Sequence, residues 1–262
     1  MVSPPLQLDC STADSTLESL AIILHLDRNV IQRRIRAFDV KTFLQQNPHY
    51  QIEPRDVVFE KIAGQNASPD PPQTISWFHA TRVPPETTFE DGLQPLNLNL
   101  DRIWRFIHNL SVSSITQEKW FDFQSLTDDI GNPQYAMKTS DPMHWGPFAF
   151  LVRDVPLHAA EGNNHDYFDV PEIVEDICLS HPAPFGNELL DAFRSATCPC
   201  LVQFVSNIDR SDAIPAALFY LYCRSWDLGF PTAANTCFDA AGKTIPKSDI
   251  VNVEFFPLRK EG

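Results

Sequence analysis

Several things are missing from this sequence. No apolar run is long enough to cross a bilayer; the longest near the start, "LAIILHL" at residues 20–26, is brief and holds His25. The opening "MVSPPLQLD" lacks the basic stretch of a secretory leader, so a cytoplasmic location is expected. Basic residues are scarce: 20 Lys and Arg stand against 34 Asp and Glu, a net charge of −14. That balance disfavours a globally basic nucleic-acid binder, leaves room for a local basic face and predicts repulsion from anionic membranes. Also absent are a phosphate-binding loop, a dinucleotide-fold glycine pattern, a nucleophile-elbow serine and a metalloprotease helix.

The six cysteines, at 10, 178, 198, 200, 223 and 237, are scattered too widely for a small disulfide scaffold. "CPC" at 198–200 has the look of half a zinc site, but no second Cys pair or His pair at ligand spacing accompanies it. Buried free thiols are expected. His144, His158, His165 and Asp166 fall on irregular segments without ligand spacing, so no metal is expected.

What is present suits a packed core: 43% hydrophobic residues, with 19 Phe. In residues 17–40, Leu20, Ile23 and Leu24 lie at helical spacing and "HLDRN" interrupts. Asp27 or Asn29 then caps a second helix carrying Val30, Ile31, Ile35 and Phe38. Two short helices around a tight turn resemble a helix-turn-helix, although the turn has no glycine. Arg33, Arg34 and Arg36 fall within about one helical turn and cannot all share one narrow face. "GQNASPDPPQ" at 64–73 reads as a linker. The expected organisation is a helical segment at 1–63, that linker, and a main domain at 74–262.

Past the linker, short strands mix with helices without regular βα alternation, which favours α+β. Strands are expected at residues 75–80, 146–155, in "CLVQFV" and in the terminal "IVNVEFFPL". Helices are expected at 98–110, in "DVPEIVEDICLS" and in "IPAALFYLYCRSWDL", with a short one capped by Thr88 and ended by Gly92. In "ISWFHATRV" an apolar strand runs straight into His79, where polar chemistry gathers. A histidine there can simply tie the strand to a loop.

"FHATR…FEDGLQPL", residues 78–96, resembles the opening of the ADP-ribosyltransferase fold, the group with a His–Tyr–acid constellation. The resemblance covers about residues 75–262, with only this opening specific. It implies a split mixed β-sheet and NAD consumed as a substrate. The activity would be ADP-ribosyl transfer to a macromolecular acceptor, protein or nucleic acid, by a toxin, effector or defence enzyme. An inhibitor or antitoxin partner would follow. Cleaving nicotinamide from ribose builds an oxocarbenium-like centre, so such a site fixes the ribose and sets negative charge nearby. By resemblance, His79 bonds a ribose hydroxyl and the Ala80 backbone bonds the nicotinamide amide. Thr81 and Arg82 position ribose or pyrophosphate. Tyr135 stacks on nicotinamide, with Trp145 as its substitute. The acid is Asp239, favoured by the family's strand position, or Glu254, favoured by its usual residue type. The alternative is non-enzymatic: a helix-turn-helix regulator or interaction protein with an inactive transferase-like domain.

Overall fold

A computed structural model describes residues 6–65, 67–111, 115–127, 132–160, 162, 164–179, 185–207 and 210–257. The fold is α+β. Its strands are β1 (Gln7–Leu8), β2 (Thr74–Val83), β3 (Phe148–Phe150), β4 (Cys198–Ser206), β5 (Cys237–Asp239) and β6 (Ile250–Phe255). They form one six-stranded sheet in the order β5-β3-β2-β4-β6, with β1 paired to β2. The described strands are therefore not split into two sheets. β1 runs parallel to β2 with Gln7 opposite Thr74, and β3 runs antiparallel with Phe150 opposite Phe78.

The chain divides into two compact units: residues 1–78, 149–164 and 204–238 in the first, and 79–148, 165–203 and 239–262 in the second. The first unit contains α1 (Ala13–Ile23), α2 (Arg28–Ala37), α3 (Val40–Gln46), α4 (Pro54–Ala63), the short α8 (Asp154–Leu157) and α11 (Ala213–Trp226). α11 is its centre. The helix is apolar almost all round, and residues 216–223 are all buried, as a helix without a polar face must be. The N-terminal helices are fastened to it by hydrogen bonds, one of them buried. Tyr222 Oη accepts from Val40 N at 3.1 Å, and Trp226 Nε1 donates to Ile35 O at 3.0 Å. The expected boundary at residues 64–73 thus separates no independent segment. Apolar positions on α1, α2 and α4 needed a partner, and α11 supplies it from far along the sequence.

The second unit holds α5 (Leu96–Ser111), α6 (Gln117–Leu126), α7 (Pro133–Ser140), α9 (Glu172–Leu179) and α10 (Gly186–Ala196). Its core gathers Trp104, Ile107, Trp120, Phe123, Tyr135, Val174, Ile177 and Phe193. Three local expectations change in the structure. β2 continues to Val83, so His79 is in mid-strand. No helix follows Thr88; the chain turns instead, with Phe89 at φ 55° and Gly92 at φ 74°. Only residues 148–150 of the expected strand at 146–155 extend, because α8 starts at Asp154.

Candidate functional site

Along β2, side chains alternate between the two faces of the sheet, so His79 and Thr81 point one way and Ala80 and Arg82 the other. His79 keeps a solvent-accessible edge. Its Nδ1 lies 2.7 Å from Phe148 O, and a carbonyl only accepts, so Nδ1 carries the proton and Nε2 is left as an acceptor. Burial holds the ring's pKa below the ordinary histidine value, with the Phe148 carbonyl opposing in part. His79 is thus a neutral imidazole near pH 7 whose ring orientation is set by β3.

The other expected binding residues have different work. Arg82 is 8% exposed and makes four hydrogen bonds. Its Nε donates to Thr197 Oγ1 at 3.0 Å, Nη1 to Phe168 O at 2.6 Å, and Nη2 to Arg194 O at 2.7 Å and Thr197 O at 2.8 Å. A guanidinium holding three carbonyls inside the protein is not free to meet a pyrophosphate. Ala80 is buried in a central strand with neighbours on both sides, not at an open wall. Thr81 is half-buried on the His79 face.

Tyr135 is 4% exposed and lies in the core of the second unit. Its hydroxyl accepts from Trp104 Nε1 at 2.9 Å, and the two rings meet edge to face at 6.1 Å. No nicotinamide can stack on a ring so enclosed. The sequence places Tyr135 after a turn, but that turn is the N-cap of α7, where Asn132 Oδ1 accepts from Gln134 N and Tyr135 N. The helix then turns the tyrosine inward. Trp145 is half-buried, donates to Thr139 O at 3.2 Å and packs against Gly242, where a Cβ would come within 3.0 Å of its ring.

The acids lie on the wrong face for His79. The register that sets Phe150 opposite Phe78 sets Phe148 opposite Ala80. The bond from Ala240 N to Pro147 O sets Asp239 opposite Phe148, so Asp239 shares the Ala80 face. Its Oδ1 accepts from Ala241 N at 2.8 Å. Glu254 shares the parity of Phe256, whose ring packs 5.2 Å from Phe168, the residue that caps Arg82. It too belongs on the Arg82 face. Period-two geometry therefore sets His79 apart from both acids, and the expected His–Tyr–acid constellation is not assembled.

A different group of polar residues does converge. α1 and α2 are joined by a four-residue turn in which His25 takes φ 53°, the left-handed conformation that a glycine would otherwise supply. Asp27 caps α2 by accepting from Asn29 N at 2.8 Å. Ile31 and Ile35 face inward, and Arg34 is drawn over to Ile62 O at 2.5 Å. This leaves Asn29, Gln32, Arg33, Arg36 and Ala37 along one exposed stripe of α2. Among the described residues, no hydrogen bond or ion pair engages Arg33 or Arg36. Arg28, by contrast, is paired with Asp14. The arginines were legible in the sequence. Gln32 was not singled out, and Asn29 only as a candidate cap, although their four-residue spacing to Arg36 and Arg33 was the available signal.

Comparisons with protein-family models, curated proteins and solved structures return no match. Among the described residues no helix is long and apolar enough to cross a membrane.

Proposed function

We propose that this chain is a binding protein rather than a catalyst, and that its α1–α2 pair docks duplex nucleic acid through the outer stripe of α2. One observation carries the reading: Arg33 and Arg36 are exposed, carry no counter-charge among the described residues, and are flanked on the same stripe by Asn29 and Gln32. Arginine positions a helix on phosphates and can read guanine, while Asn and Gln can pair with adenine edges. An acidic protein of net charge −14 would use such a local stripe against a general repulsion, so modest affinity is expected.

The test is fluorescence anisotropy with a labelled mixed-sequence duplex at low salt. Two phosphate contacts predict a log K against log salt slope of about −2. Replacing both Arg33 and Arg36 by Ala should weaken binding roughly tenfold or more and flatten that slope. Absence of binding at low salt, or binding indifferent to the double replacement, would remove this reading. In a parallel arm, the chain is incubated with labelled NAD and a cell lysate. No transfer of label is expected, because His79 lacks the acid and the stacking ring that the chemistry needs. Label on protein or nucleic acid would restore the transferase reading.

A further inference from the structure

β6 ends the sheet, with β4 on one side and no strand on the other among the described residues. The bond from Phe256 N to Pro199 O at 2.9 Å fixes which groups it has spent. Backbone N–H and C=O groups of one residue point to the same side of an antiparallel strand, and successive residues alternate. Even-numbered residues of β6 therefore bond to β4, and Val251, Val253 and Phe255 turn their backbone groups outward. The side chains of those same three residues form one row, and it is poorly covered: Val251 is 59% and Phe255 41% exposed. Edge strands are usually blunted by lysine, proline or a bulge, and "IVNVEF" contains neither lysine nor proline.

We infer that β6 pairs antiparallel with β6 of a second copy of this chain, centred on Val253. The strand is self-complementary in that register. Val253 meets its own mate, and Val251 meets Phe255 of the other copy, twice over. All three outward-facing residues then exchange backbone bonds with outward-facing residues, about six in total. On the opposite side Asn252 meets Glu254, an amide against a carboxylate. Neighbouring registers are worse. Centring on Glu254 stacks two carboxylates and brings Pro257, which has no N–H, into the ladder beside Val251. Centring on Asn252 sets Phe255 against Asp249. The contact is isologous, as a two-fold dimer requires. Because each copy carries −14, added salt should tighten the dimer, opposite to the salt response of nucleic-acid binding.

The experiment is analytical ultracentrifugation of the full chain from roughly micromolar to a few hundred micromolar, the range suited to a small interface. A dimer that strengthens with salt is expected. Phe255→Lys and, separately, Val253→Pro should shift its dissociation constant upward at least tenfold with unchanged circular dichroism, since both alter only outward groups. For the register, Val253→Cys in a Cys237→Ser background should form a cross-chain disulfide under mild oxidation, the mates being about 5.5 Å apart at Cα. Val251→Cys should not link to its own mate, which lies four residues' rise away, roughly 13 Å. A monomer throughout the concentration range overturns the inference and leaves the edge to a foreign strand. A dimer that ignores both edge variants, or that links through 251 and not 253, also overturns it.

Discussion

Arg82 makes the clearest case for letting geometry decide what a side chain is for. Adjacent in sequence to a histidine and a threonine, it suggests an anion site. Inside the protein it is an internal cross-brace: one guanidinium satisfies the carbonyls of Phe168, Arg194 and Thr197, which end or link segments around α10. Arg194 extends the brace by a two-pronged pair with Asp169, at 2.9 and 2.7 Å, which holds the Asp169 carboxyl below its usual range. Arg82→Met keeps the volume and strands the carbonyls. It should cost on the order of 3 kcal/mol, since each buried polar group left unpaired loses its full hydration. Thermal unfolding should fall by about 6–12 °C. A variant with unchanged melting and impaired ligand binding would return Arg82 to a functional role.

At the scale of elements, the turn in "FEDGLQPL" does structural work. Gly92 has φ 74°, and a Cβ there would sit 2.1 Å from Ile245 O. The glycine lets two distant segments close to a β-bridge, with Leu93 N to Ile245 O at 2.9 Å and the reverse bond at 3.0 Å. Pro95 then starts α5 by offering its carbonyl to Leu98 N and Asn99 N. The motif that resembled a catalytic family thus has a sufficient local explanation. Gly64 provides the control: it also has positive φ, 110°, but nothing lies within 4 Å of the position its Cβ would take. Gly92→Ala should therefore cost more than Gly64→Ala, by roughly 2 kcal/mol, in denaturant midpoints. Equal costs would mean that backbone strain alone explains Gly92.

For the whole molecule, the issue is whether residues 1–63 stand apart. In the first unit they supply β1 to β2 and cover α11, which has no polar face of its own to show water. A fragment beginning at residue 74 should therefore be insoluble or lack a cooperative transition, even though protease can still nick the loop at 64–73 without releasing a folded piece. A soluble, cooperatively unfolding 74–262 fragment would restore the boundary that composition suggested.

The sequence by itself determined those features that depend on neighbours along the chain. Three- and four-residue apolar spacing marked α1, α2 and α5; Asp27 was one of two cap candidates before α2; and α11, β4 and β6 were expected as the helix and strands they form. The absence of glycine between α1 and α2 did not prevent the turn, because His25 took the left-handed conformation itself. Tertiary structure decided where these elements meet. Parity along β2, joined to the registers of β3, β5 and β6, set His79 on one face and Asp239 and Glu254 on the other. α7 carried Tyr135 into the Trp104 core, and α11 drew the N-terminal helices across a loop that looked like a boundary. Those outcomes rest on contacts between residues tens to hundreds of positions apart, where a shift of one residue in a strand exchanges the faces of the sheet, and local spacing carries no record of that choice.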